Sequence, residues 1–190
     1  QDEVGLAVTV APEANRMIGG GRQRRAIGIK GDGVNQAKGV GKGDLRQCVI
    51  DANVALKLFI EQPGSDQADA LFARLGTDAL ARFYAPDLLF AEVASVLAKY
   101  VGLRMMTAVA ARKSVKELVG LGLVSIPTAE LVPEALEIAV KHQVSGYDAC
   151  YVVLSARLSM PFVTADERLF NGLAGRGYDL RLLSRLGLNA

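Results

Sequence analysis

Residues 47–60 read QCVIDANVALKLFI. Cys48-Val49-Ile50 is a short buried strand that ends at Asp51, and residues 54–60 have the spacing of a helix start or tight turn with one apolar side. Gln62–Ser65, with Pro63-Gly64, then punctuates the chain. A carboxylate set directly after an apolar strand is costly, because a low-dielectric surrounding resists its ionisation.

The same texture continues on the C-terminal side. Residues 66–75 read as a helix with Ala68, Leu71, Phe72 and Leu75 on one face, and residues 83–85 as a second strand. Pro86 suits the first turn of a helix running to about residue 100. Further helices are predicted over 107–121, 132–142 and 145–158, with a short one from Glu167; strands fall at 123–126, 162–164 and 180–183. Short apolar strands alternating with amphipathic helices predict an α/β fold whose parallel sheet is covered on both faces. Ligands of such sheets gather beyond the carboxyl ends of the strands, which is where Asp51 and Asp166 fall.

Residues 1–46 differ in kind. They hold ten of the twenty glycines and show no sustained periodicity, so the segment is expected to be a mobile tail or a non-native extension, with a short strand possible around 6–10. GVGKGD at 39–44 imitates a phosphate loop but has Gly43 where Ser or Thr should bind magnesium. The domain proper is expected over 47–190. Residues 1–46 carry eight Lys/Arg against five Asp/Glu, and residues 47–190 carry fourteen against fifteen. A near-neutral domain gives no general attraction for nucleic acid, so any such binding needs a local basic rim, for which Lys57, Arg82 and Arg104 are candidates.

Cys48 and Cys150 lie about a hundred residues apart with no ligand-spaced neighbours, which suits reduced core thiols and a cytoplasmic protein. Apolar runs stay below the roughly 18 residues that span a bilayer, and no export signal is evident.

Four acids stand out. Asp51 follows a strand; Glu92 lies three residues after Leu89 and four before Val96, on the buried stripe of its helix. Asp148 follows Ser145 in a capping-box pattern, and Asp166 lies within a second such pattern, Thr164-x-x-Glu167. Each has a plain structural reading as a cap or ion-pair partner. Together they suggest one crevice of oxygen ligands, suited to Mg²⁺ or Mn²⁺ rather than zinc, and hence phosphodiester hydrolysis. His142, at a helix end, is expected to be exposed and Cys150 packed, so no protein nucleophile is called for.

VIDANVALKLF at 49–59, LLFAEVASVL at 88–97 and YDACYVVLSARLSMPFVTADERL at 147–169 resemble the PIN-domain ribonucleases, specifically the VapC-type toxins of toxin–antitoxin pairs. The likeness spans residues 47 to about 186. It implies a three-layer α/β/α PIN-like fold with a central, mainly parallel sheet, and an Mg²⁺- or Mn²⁺-dependent endoribonuclease. Carried onto this chain, Asp51, Glu92, Asp148 and Asp166 would bind metal, Asn53 and Thr164 would orient water or a carboxylate, and Lys57 would contact RNA. Ser95 replaces an asparagine often seen three residues after the glutamate. The resemblance also implies a homodimer and a cognate VapB-type antitoxin. Two other readings use the same residues: an inert PIN-like module that binds RNA or protein, and a structure-specific DNA nuclease.

Overall fold

The structure, a computed structural model, describes residues 45–188. Residues 1–44, and with them nearly all of the expected tail, the 6–10 strand and the phosphate-loop imitation, lie outside the described residues.

The described elements are β1 (Gln47–Ile50), α1 (Ala52–Leu56), α2 (Ser65–Thr77), β2 (Arg82–Pro86), α3 (Leu88–Gly102), α4 (Ala108–Gly120), β3 (Val124–Ile126), α5 (Thr128–His142), α6 (Gly146–Leu158), β4 (Phe162–Thr164), α7 (Glu167–Leu173), β5 (Leu180–Leu182) and a closing 3₁₀ turn, Leu183–Arg185. The strands form one sheet in the order β3-β2-β1-β4-β5, with every pairing parallel. Helices on both faces complete a three-layer α/β/α arrangement.

β1 is the middle strand, pairing Val49 with Tyr84 on one side and with Phe162 on the other. Its Cys48, Val49 and Ile50 are wholly buried, which is why the strand reads as a continuous apolar run instead of an alternating one. The chain builds outward from β1 through β2 to β3, then crosses back to add β4 and β5. The reversal leaves a crevice between the carboxyl ends of β1 and β4, the place where open α/β sheets bind ligands.

The core joins these layers. Phe72 of α2 meets Phe83 of β2 edge-on at 5.4 Å, and Tyr151 of α6 stacks on Phe162 of β4 at 5.5 Å. α6 is buried continuously from Ala149 to Ser155, the mark of a helix enclosed on all sides. Both cysteines are buried thiols, as expected. Among the described residues no helix is long and apolar enough to cross a membrane.

Three boundaries differ from expectation. Pro86 ends β2, in register with Ile126, instead of opening α3; its missing N–H is harmless at a strand end. α5 begins at Thr128, a turn earlier than predicted, because Asp87 accepts from the Thr128 amide at 2.9 Å and from its hydroxyl, while Thr128 Oγ1 accepts from the Leu88 amide at 3.2 Å. Pro133 then lies inside the helix. The third concerns Thr164, which is no cap: it is a fully buried β4 residue, and Asp166 itself caps α7.

Candidate active site

β1 delivers Asp51 to the crevice. The Asp51 amide extends the ladder by donating to Val163 O at 3.0 Å, and its carboxylate caps α1 by accepting from the Asn53 amide at 3.3 Å. The other carboxylate oxygen accepts from Thr164 Oγ1 at 2.5 Å. That hydroxyl also accepts from the Asp166 amide at 3.0 Å and from Asn53 Nδ2 at 3.4 Å. A hydroxyl has one proton and two lone pairs, so all the capacity of Thr164 is used, and its proton is committed to Asp51. Asn53 completes the link by accepting the Ala165 amide at 2.9 Å. The crossing between β1 and β4 is thus tied by side chains that also present Asp51 and Asp166.

Glu92 enters from the first half of α3, half-buried, and accepts from the Tyr151 hydroxyl at 2.6 Å. Asp148 lies in the first turn of α6, where Ser145 Oγ accepts its amide at 3.0 Å and donates to its carboxylate at 2.8 Å. Asp166 accepts from the Arg168 and Leu169 amides at 2.7 and 3.0 Å. The capping readings therefore hold for Asp51 and Asp148, while Asp166 is itself the cap of α7 and not a member of a box opened by Thr164. They do not exhaust these residues.

Electrostatics connects the four. Burial pushes the Asp51 carboxyl up to about 7, with a hydrogen bond from Thr164 opposing and the charges of Asp148 and Glu92 adding to the rise. Burial likewise raises Glu92, opposed by Tyr151 and reinforced by Asp148. Asp148 is raised by burial first and by the charge of Asp166, against the Ser145 hydrogen bonds and the charge of Arg168. No Lys or Arg among the described residues forms an ion pair with any of these acids. Three carboxyls raised by burial and by neighbouring acids, with no ion pair among the described residues to neutralise them, make this crevice a candidate functional site.

The donor set fits a hard divalent cation in kind: carboxylate oxygens and hydroxyls, without thiol or imidazole. Among the described residues no three acidic, histidine or cysteine side chains stand together in a ligand arrangement as placed. Asp51, Glu92 and Asp148 each have a carboxylate oxygen engaged by a hydroxyl, and Asp166 one engaged by backbone amides. Bonds of this type orient ligands from outside a metal's coordination sphere.

Tyr151 is the participant that sequence reading missed. Its burial, aided by the charges of Asp51 and Glu92, raises the phenol far above its ordinary value, so it stays a donor. Its position three residues after Asp148 was the available signal, since residues at that spacing share a helix face.

Other candidates stand elsewhere. Lys57 Nζ donates to Pro63 O at 2.7 Å, and its methylenes lie 3.5 Å from where a Cβ on Gly64 would sit. Gly64 itself has φ +90°, a conformation that favours glycine. Arg82 begins β2, at the end of the strand away from the crevice, and donates to Ala79 O and Ala81 O. Arg104 is exposed in the turn after α3. Ser95 is exposed and donates back to Ala91 O at 2.8 Å, so it supports none of the acids. His142 is half-buried, not exposed as expected: it pairs with the Tyr178 hydroxyl at 3.2 Å while its Nδ1 is enclosed without a partner. Burial pushes the Cys150 thiol up, consistent with packing.

The PIN-domain family model matches residues 48–175, more than half of the chain and all four acids. The chain belongs to the PIN-domain family. Among curated proteins this PIN domain is similar to Ribonuclease VapC3 of Pyrobaculum aerophilum, 28% identical over 123 residues that cover 64% of this chain and 90% of that protein. Its fold is similar to the crystal structure of PAE2754 from Pyrobaculum aerophilum, with TM-score 0.56 and 20% identity over 78% of this chain and 94% of the other. FitAcB from Neisseria gonorrhoeae matches with TM-score 0.48 and 15% identity over 73% of this PIN-domain chain and 99% of the other.

Proposed function

We propose that the chain is a VapC-type endoribonuclease that depends on Mg²⁺ or Mn²⁺ and acts in the cytoplasm. The observation that carries this reading is the electrostatic coupling of Asp51, Glu92 and Asp148, with the charge of Asp166 acting on Asp148 and none of the four in an ion pair with a described residue, at the crevice beyond β1 and β4. Membership of the PIN family and the likeness to a protein named as a ribonuclease support nuclease chemistry on RNA.

In this reading Asp51, Glu92, Asp148 and Asp166 would hold the metal. Divalent cations supply an activated water at neutral pH and charge stabilisation at a leaving oxygen. The protein's own part is positioning. Thr164 holds the Asp51 carboxylate, Tyr151 holds Glu92 and Ser145 holds Asp148, each through a hydroxyl that donates to one carboxylate oxygen. No side chain is needed as nucleophile: the Cys150 thiol is raised by burial, and His142 is engaged with Tyr178.

The proposed partners are RNA, a second copy of the chain and a VapB-type antitoxin. Apolar surface for protein contacts is present. Val132, Leu136 and Val140 line the outer face of α5 at 51%, 64% and 72% exposure, and a groove of about 360 Å³ between α3 and α4 is floored by Ala94, Leu97, Ala98, Ala111 and Val115.

The test is incubation of the full chain with single-stranded RNA and with matched DNA, each with Mn²⁺ and with EDTA, using Asp148→Asn as control. RNA cleavage that needs both the metal and Asp148 supports the proposal. Preferential cleavage of structured DNA would instead support the DNA-nuclease reading. RNA binding without any cleavage would leave the inert-module reading.

A further inference from the structure

Two exposed side chains that the acid site does not use stand beside its acids in the chain, one next to Asp148 and one two residues after Asp166. Tyr147 immediately precedes Asp148 in the first turn of α6 and is 61% exposed, the only aromatic among the large exposed hydrophobic residues of the described chain. Four residues later on the same helix face, the Tyr151 hydroxyl reaches Glu92. Tyr147 therefore stands one turn nearer the helix start on the face that bears Tyr151, and helical side chains lean toward that start.

Arg168 occupies the corresponding place on α7, two residues after Asp166. Its side chain is exposed and makes no hydrogen bond or ion pair with any described residue. Its charge nevertheless reaches Asp148, whose carboxyl it lowers. Neighbouring arginines are occupied: Arg157 with Glu134, Arg181 with Asp179 and Arg185 over the Phe170 ring. Arg168 is thus a guanidinium beside the acids that neutralises none of them at contact distance.

A cluster of carboxylates repels a polyanion, and residues 47–190 carry no net positive charge to offset this. Attraction must come from groups at the rim. An exposed ring and an unspent guanidinium are the two elements by which single-stranded nucleic acid is held without a basic groove: one stacks a base, the other meets a phosphate. A base inside a duplex offers the ring no face.

We propose that Tyr147 and Arg168 clamp single-stranded RNA at the mouth of the site, the Tyr147 ring stacking on a base beside the cleaved linkage and the Arg168 guanidinium holding an adjacent phosphate. This rests on the ribonuclease reading above and names the strand form it accepts.

The experiment is fluorescence anisotropy of the full chain with a labelled single-stranded RNA and with a blunt RNA duplex, in EDTA so that no cleavage intervenes. Tyr147→Ala should weaken single-strand binding about tenfold, while Tyr147→Phe retains it. On an oligonucleotide with its bases removed, Tyr147→Ala should have no further effect. Arg168→Gln should weaken all sequences alike and reduce the salt dependence by about one counterion. The proposal is overturned if the parent binds duplex as well as single strand, if Tyr147→Ala stays within about twofold of the parent, or if Tyr147→Phe is as damaging as Tyr147→Ala. Parent protein that binds through Tyr147 yet cuts nothing with Mn²⁺ would support the clamp and refute only the nuclease reading. Cleavage with unaltered binding of Tyr147→Ala would refute only the clamp.

Discussion

The Tyr151 hydroxyl donates to Glu92 Oε2 across 2.6 Å, joining the second turn of α6 to α3 over 59 residues of sequence. The same ring lies flat against Phe162 of β4, at 8° between planes. One side chain therefore fixes both a packing contact at the sheet and the direction of a carboxylate in the site.

Tyr151→Phe should keep the stack and lose the bond. Removing a hydrogen bond to a charged acceptor costs about 1–2 kcal/mol, to be measured by urea unfolding. The bond from Tyr151 lowers the Glu92 carboxyl, so without it that group titrates still higher. The acid limb of the cleavage pH profile should move to higher pH, an outcome that a purely structural tyrosine would not produce.

Asp51 makes metal-free stability depend on pH. Its folded value, about 7, lies above its ordinary 3.8. Between these values the folded chain holds a proton that the unfolded chain has released, so stability falls as pH rises from about 4 to about 7. Asp51→Asn should therefore stabilise the metal-free protein at pH 8, by up to about 4 kcal/mol, and change little at pH 4. Melting curves at the two pH values check this. Saturating Mn²⁺ should raise the parent's melting temperature at pH 8, by an amount equivalent to about 3 kcal/mol at a hundredfold excess over Kd, and should not raise that of Asp51→Asn.

Thr164→Val preserves shape but removes a hydroxyl that serves three partners. Leaving buried polar groups unmatched should cost about 2–4 kcal/mol, read from chemical denaturation. Thr164→Ser should recover most of the loss, because it restores the donor and both lone pairs.

Lys57→Ala separates anchoring from RNA binding. The amine holds the Pro63 carbonyl, and burial lowers its affinity for a proton. Loss of the anchor should lower stability by about 1 kcal/mol while the folded fraction cuts RNA at the parental rate. A rise in KM for RNA without loss of stability would give Lys57 the contact role that the family likeness suggested.

The strands β1 and β4 were legible because burial on both faces leaves uninterrupted apolar runs. Glu92 was legible as an inward acid because Leu89 and Val96 set the helix phase around it. Tyr151 was not, since a tyrosine within Cys150-Tyr151-Val152-Val153 has the appearance of core, and its partner lies on another helix. Thr164 was misread as a cap because its spacing to Glu167 satisfies the local pattern, while burial turns its hydroxyl toward Asp51. His142 was read as exposed because Tyr178, which covers it, comes 36 residues later. Local rules fixed the elements; the pairings that orient the acids are products of the fold.

The bond from Thr164 to Asp51 spans 113 residues, and it also sets a clock. A chain emerging from the ribosome has made β1 long before β4 exists, and until then Asp51 has neither the Val163 carbonyl that its amide bonds nor the Thr164 hydroxyl. β4 must be made before the crevice takes shape, so whatever chemistry the acids perform is withheld from any nascent chain that stops short of it.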